Sequence, residues 1–378
     1  MRHPGKHFQS KIWFAFVLAC LLICSLTHQY LGHDRSSQGN VDFYAYYFAA
    51  QVVHDNPHAS LYEGAAAENP EIHLDAPAAS ALSVHARAAG FDKVMFYVYP
   101  PLLADLLAPL SRIPVHLAEI LWRVFNLVLV FASVLLLARI FRVPILGFEF
   151  AVLALAAYSF FPIHETVFLG QITIVLLALW TIGIVAYFDD RMVLSAAAFA
   201  LATAFKVTPI LLLPLFFIWK DRRWILSYLA VTVGLVAVMV SINGFENVSI
   251  YPSVVSAMGG GIPASTNKTL GSLADWVYYG RIFDDESAHT VIANIPRALS
   301  ILAKLASGAL YVCCLLLAWR SRRIERASRA ATIAIFGLIT ACASPVTWRH
   351  GYSIAFIPLA IFWVRALRTP HGPFMERY

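Results

Sequence analysis

Two charged side chains stand where charge is costly unless it is used. Asp42 lies in the run Val41-Asp42-Phe43-Tyr44-Ala45-Tyr46-Tyr47, beyond a first hydrophobic stretch that ends near Thr27. Lys206 sits between two short apolar stretches, 193–206 and 209–219, where Pro209 breaks the helix. A carboxylate fixed among aromatics at a membrane boundary can take a proton from a polar acceptor while other residues hold a lipid-borne donor. A lysine at the bilayer midplane would cost several kcal/mol, so at a hairpin tip it snorkels outward or meets an anion. A lipid phosphate is the obvious anion. Arg349 and His350 follow Pro345 and Trp348. Near a phosphate the histidine can donate a hydrogen bond or carry charge, and the arginine offers a fork of N–H donors. Each residue also has a plainer role. Asp before an apolar stretch commonly caps a helix, a lysine can snorkel without a ligand, and a histidine can be hydrogen-bonded at the interface.

The elements that must position these groups are membrane helices. Of the 378 residues 60% are apolar and 13% charged, beyond what a soluble domain carries. At roughly 20 residues per crossing, candidate spans are 12–27, 117–138, 144–162, 170–188, 193–206, 209–219, 225–243, 298–319, 330–344 and 350–367, about ten in all. The first has a basic flank, Arg2, Lys6 and Lys11, as a signal peptide would, but no small-residue cleavage site; it reads as an anchor.

Orientation follows from lysine and arginine in short loops. With the N-terminus inside, the inner side receives Arg139, Arg142, Arg191, the Lys220-Arg222-Arg223 group and the arginines between Arg320 and Arg329. The stretch Tyr97 to Ser111 contains Asp105 and two prolines, Pro100 and Pro101, and is short for a span. It is expected to be an interfacial or re-entrant helix, since a crossing there would turn those basic loops outward. Two long segments, 28–116 and 244–297, then face outward and have room for a site. The aromatics Phe43 to Phe48 and Tyr97 to Tyr99 are expected to line the headgroup layer.

The net charge of +6 comes largely from inner loops that face anionic headgroups, and no nucleic-acid motif is present. The five cysteines, Cys20, Cys24, Cys313, Cys314 and Cys342, lie in hydrophobic spans without metal-ligand spacing. The loop histidines show no coherent ligand spacing either, so neither a metal nor a cofactor is expected. Asn247-Val248-Ser249 and Asn267-Lys268-Thr269 match the glycosylation pattern, which carries little information here. With no internal repeat and no low-complexity linker, residues 1–378 read as one integral membrane domain.

Six stretches occur in a telling order: Asp42-Phe43-Tyr44 with Tyr62; Tyr99-Pro100-Pro101-Leu102; Gly170-Gln171-Ile172-Thr173; Phe205-Lys206-Val207-Thr208-Pro209; Asn267-Lys268-Thr269-Leu270; and Ser344-Pro345-Val346-Thr347-Trp348-Arg349-His350. From about residue 40 to 360 the chain resembles glycosyltransferase family 87. That family has the multi-span type C glycosyltransferase fold and includes polyprenol-phosphate-mannose-dependent mannosyltransferases of mycobacterial glycolipid synthesis.

The resemblance implies an all-α polytopic membrane enzyme of the cytoplasmic membrane, its site facing outward. It would move a sugar, mannose in the best-known case, from a polyprenyl-phosphate donor to a hydroxyl of a lipid or glycan acceptor. Direct displacement would invert the anomeric centre, with a single carboxylate base. On this resemblance Asp42 is the base and His350 an active-site residue. Lys206, Arg349, Tyr99, Gln171 and Asn267 would bind the phosphate or sugar. The family pattern often continues with a second histidine where this chain has Gly351.

A transporter or flippase for lipid-linked glycans is the alternative. It should show a repeat between halves and charges near mid-membrane, and neither is visible. A polymer ligase should gather arginines in one outer loop, whereas Arg35, Arg87, Arg281 and Arg297 are scattered. A scaffold would need no outward set of Asp, Lys, Asn and His.

Overall fold

The computed structural model describes residues 42–62, 76, 78–145, 147–258, 269–280, 297–320, 326–343, 347 and 349–368. The expected first span, 12–27, lies outside them, as does Asn267. Among the described residues the chain is all helix. In order come α1 (Asp42–Asp55), α2 (Ala81–Ala88), α3 (Pro101–Leu107), α4 (Val115–Ile140), α5 (Phe148–Ser159), α6 (Phe161–Leu169), α7 (Thr173–Phe188) and α8 (Met192–Phe205). Then follow α9 (Leu213–Trp219), α10 (Arg222–Ser249), α11 (Tyr251–Met258), α12 (Leu270–Tyr279), α13 (Arg297–Arg320), α14 (Arg326–Ala343) and α15 (Phe356–Arg368). Short 3-10 turns occupy Leu110–Arg112, Thr208–Leu212 and Arg349–Ala355.

Among the described residues three helices are long and apolar enough to cross a membrane: α4, α10 and Ile301–Arg320 of α13. At 26 residues α4 reaches about 39 Å, beyond the roughly 30 Å of hydrocarbon. α10 and α13 bury few of their apolar side chains in the protein, as helices facing lipid would. A fourth candidate is the pair α5 and α6, bent by 56°. The apolar run expected as one span over 144–162 breaks there because Pro162, lacking an N–H, can stand in the first turn of a helix but not in its interior. α3, with seven residues, is too short to cross.

α7 is the hub, buried along most of its length. It packs on α4, α8 and α14. Gly183 brings α8 close: a Cβ there would stand 2.5 Å from the Phe199 ring. Trp180 meets Phe199 edge-on at 5.0 Å, and Trp224 of α10 stacks flat on Phe216 of α9 at 3.4 Å.

One end of this bundle is tied by charge. Arg139 reaches Asp189 at 3.0 Å, Tyr187 donates to Asp221 at 2.7 Å, and Arg329 lies 3.7 Å from Asp221. These are the ends of α4 and α7, the α9–α10 turn and the start of α14. The opposite ends of α7, α8 and α14 carry Gln171, Lys206 and the approach to His350, so the candidate site lies at the other end.

Candidate active site

α1 opens with Asp42, and its next eight residues, Phe43 to Ala50, are all buried in protein. The aromatics expected in the headgroup layer are instead core. Tyr44 packs on Phe91 at 4.6 Å, Phe43 on Trp122 at 6.2 Å and Tyr46 edge-on to Tyr99 at 4.9 Å. The cause is that α1 is enclosed on all sides, by α2, α3, α4 and the Leu110–Arg112 turn. Asp42 stands in the first turn, where the positive end of the helix dipole favours an anion. Its carboxylate also meets its own backbone N–H, one of the donors that the first turn of a helix leaves without an intrahelical partner.

Gln171 is delivered to this carboxylate by the turn before it. Gly170 ends α6 at φ 65°, the left-handed region, and a Cβ on it would lie 2.7 Å from the Cβ of Phe43. Trp122 donates its indole N–H to the Gly170 carbonyl at 2.6 Å. The Gln171 backbone N–H returns to Thr166 at 2.9 Å. Its side-chain oxygen accepts from Tyr46 at 2.9 Å and from Tyr99 at 3.0 Å, and the side chain also bonds Asp42. Burial, with the Asp42 charge nearby, holds both tyrosine hydroxyls well above their ordinary range, so both stay protonated.

Lys206 caps α8 with extended backbone, φ −154° and ψ 118°, its N–H closing on Ala202. The charge of Lys206 acts on Asp42 and on His350, so the three form one electrostatic group. Withdrawal from water pushes the Asp42 carboxyl up to about 7; the Gln171 bond, its own backbone N–H and Lys206 oppose the rise, and Glu165 adds to it. Asp42 as a residue is half-buried, not sealed in the core as Phe43 to Ala50 are.

His350 is buried in the 3-10 turn of Arg349–Ala355, which packs on α6. A polar knot fixes it. Thr166 donates to the Pro162 carbonyl at 2.6 Å and lies 2.8 Å from the Ser353 hydroxyl, and Ser353 also contacts the His350 carbonyl at 2.8 Å. Gly351 belongs to this packing, since a Cβ there would meet Thr347 at 2.6 Å. A second histidine at 351 would need Thr347 to move.

Arg349 pairs with Glu165 at 2.8 Å and lies over the Phe161 ring at 5.4 Å, with 41% of its side chain exposed. The structure thus brings together Asp42, Tyr99, Gln171, Lys206 and His350, with Arg349 at the rim.

Sequence reasoning missed Glu165 and Tyr46. Glu165 had a signal, the polar His164-Glu165-Thr166 inside an apolar region; Tyr46 had none that set it apart from its aromatic neighbours. A further clamp was also missed. α10 bends at Gly244, φ 80°, where Asn243 donates to Asp105 at 2.7 Å and Asn247 to the Ala59 carbonyl at 3.0 Å. The long helix thereby holds both α3 and the segment after α1.

The description "Glycosyltransferase family 87" belongs to a family whose sequence profile matches residues 97–345. A Mycobacterium tuberculosis (strain CDC 1551 / Oshkosh) protein is 26% identical over 291 residues, 74% of this chain. It is named polyprenol-phosphate-mannose-dependent alpha-(1-2)-phosphatidylinositol pentamannoside mannosyltransferase. The alignment spans 60% of that relative's length.

Proposed function

Because the chain belongs to glycosyltransferase family 87, we propose that it transfers a sugar from a polyprenyl-phosphate donor to a hydroxyl of a lipid or glycan acceptor, with inversion. Mannose is the first donor sugar to test, because the mycobacterial relative is named for polyprenol-phosphate mannose and a phosphatidylinositol mannoside. The reaction is placed at the outer face of the cytoplasmic membrane in a type C fold with about ten crossings. Support for that side comes from the basic residues of the opposite end, among them Arg139, Lys220, Arg222 and Arg223.

The observation that carries the reading is a half-buried carboxylate, Asp42, which burial pushes up to about 7 and on which the charge of Lys206 acts. A general base works best when its pKa lies near the working pH. Asp42 takes the proton of the acceptor hydroxyl as that oxygen attacks the anomeric carbon. The sugar–phosphate C–O bond breaks, and the electron pair leaves on the phosphate oxygen. Lys206 binds that phosphate as a point charge, His350 supplies a hydrogen-bond donor, and Arg349, held by Glu165, adds positive charge at the rim. Asn267 is assigned to the donor site on the family resemblance alone.

The test is to incubate purified protein with a panel of polyprenyl-phosphate sugars and a membrane extract, following release of polyprenyl phosphate. Sugar-dependent release with an α-linked product from a β-linked donor is expected. Net movement of donor across a vesicle membrane without release would instead favour a flippase.

A further inference from the structure

We infer that Gln171 is a positioning residue for Asp42 and not a ligand of the sugar or phosphate. The inference rests on the reading of Asp42 as base. Gln171 is 2% exposed, too enclosed to meet a substrate. Both ends of its amide are already engaged. The oxygen accepts two hydroxyls, from Tyr46 and Tyr99, leaving the NH2 group to face the Asp42 carboxylate. An amide turned the other way would set its oxygen against a carboxylate, which has no hydrogen to give when ionised, and would bring its NH2 to two hydroxyls, one of which, Tyr46, already faces the Ile172 N–H.

The orientation is therefore imposed from behind. Tyr46 is held in turn, its ring edge-on to Tyr99 and its oxygen 3.4 Å from the Ile172 N–H. The backbone of Gln171 is fixed by the Gly170 turn, which Trp122 and Phe43 leave no room to move. A chain runs from Tyr46 and Tyr99 through Gln171 to the Asp42 carboxylate.

The groups that act on the carboxylate are the charges of Lys206, at the end of α8, and Glu165, from α6, and the neutral donors Gln171 and the Asp42 amide itself. Removing the Gln171 donor takes away a bond that favours the ionised form. The acid limb of the pH–rate profile must then move to higher pH. A ligand of the donor would act otherwise, raising donor Kd at every pH.

The experiment compares wild type, Gln171→Met and Tyr46→Phe, with polyprenyl-phosphate mannose as donor and a lipid extract as acceptor source. It measures donor Kd and the pH dependence of kcat/KM. Tyr46 is fully buried, so its variant reaches Asp42 from behind, by removing one of the two hydroxyls that Gln171 accepts. Expected are unchanged donor Kd, which also shows that each variant is folded, a limb moved upward in both, and kcat lower by roughly 10–100-fold in Gln171→Met. A tenfold weaker donor Kd with an unmoved limb would overturn the inference, as would an unmoved limb and normal turnover in Tyr46→Phe. Failure of the underlying reading shows separately, as full turnover in Asp42→Asn.

Discussion

Gly170 and Phe43 lie closer than any side chain at 170 would permit. A Cβ on Gly170 would stand 2.7 Å from the Phe43 Cβ, and its φ of 65° already disfavours anything but glycine. The contact joins the end of α6 to the start of α1 and so sets Gln171 against Asp42. Gly170→Ala is expected to cost about 1–3 kcal/mol through forced repacking and to lower turnover more than donor binding. Thermal melts and single-turnover rates on the same sample check both parts. An unaltered melting temperature would show that α1 can yield at this point.

Lys206 is expected to bind the donor phosphate. Lys206→Met keeps most of the stem and removes the charge, so losing one charge-assisted contact should weaken donor binding by about 1.5–3 kcal/mol. The same change removes a cation that holds the Asp42 carboxyl down, so the acid limb should also move upward. Equilibrium binding of the donor, with a pH profile, reads the two effects independently. Unchanged affinity in the folded variant would return Lys206 to a snorkelling role.

The pH dependence has a definite sign. Ionised Asp42 is the working form, so kcat/KM should fall about tenfold per pH unit below about 7 and level off above it. Stability runs the opposite way. The carboxyl ionises near 7 in the fold against 3.8 for the ordinary group, so its contribution is fully present below about pH 4 and is lost as pH rises to about 7. Activity and melting temperature should therefore move in opposite directions between pH 5 and 7, a pattern that a purely structural carboxylate would not give.

Both of these residues were visible in the sequence because a charge inside an apolar stretch is conspicuous. Their surroundings were not. Gln171 and Tyr46 are 125 positions apart, and no periodicity announces a bond across that distance. Glu165 follows an apolar run that hydropathy alone ends at 162, whereas Pro162 stands in the first turn of the next helix and carries it on to Leu169. The aromatics of α1 looked interfacial because composition alone cannot tell a helix at a surface from one wrapped by its own chain. Asn247 read as a glycosylation pattern, yet its amide NH2 bonds the carbonyls of His58 and Ala59.

Sidedness is open to direct test. Ala89, just past α2, is exposed, whereas Ser80 is buried and caps that helix, so Ala89 is the better place for a cysteine. In a background freed of the five native cysteines, Ala89→Cys should react with an impermeant reagent added to intact cells. Arg223→Cys, at the opposite end, should react only after the cells are opened. The reverse pattern would place Asp42 and Lys206 inside and remove the outward assignment of the site.

Asp42→Asn separates the base from the cap. Asparagine keeps the size, can cap as well as aspartate and accepts one hydrogen bond, so folding and donor binding should survive. It cannot take a proton. Loss of general-base catalysis typically costs 10²–10⁴-fold in rate, whereas loss of a cap costs about 1 kcal/mol of stability. The environment of Asp42 sharpens the contrast. Its carboxyl ionises reluctantly, so at pH 8 the wild type carries a charge that the fold disfavours and the variant does not. The variant should therefore melt at the same temperature or higher at pH 8 while losing at least about 100-fold in turnover. Near-normal turnover with a lowered melting temperature would make Asp42 a cap, and the proton acceptor would have to be sought elsewhere, among the described residues first at Glu165, whose charge acts on this site.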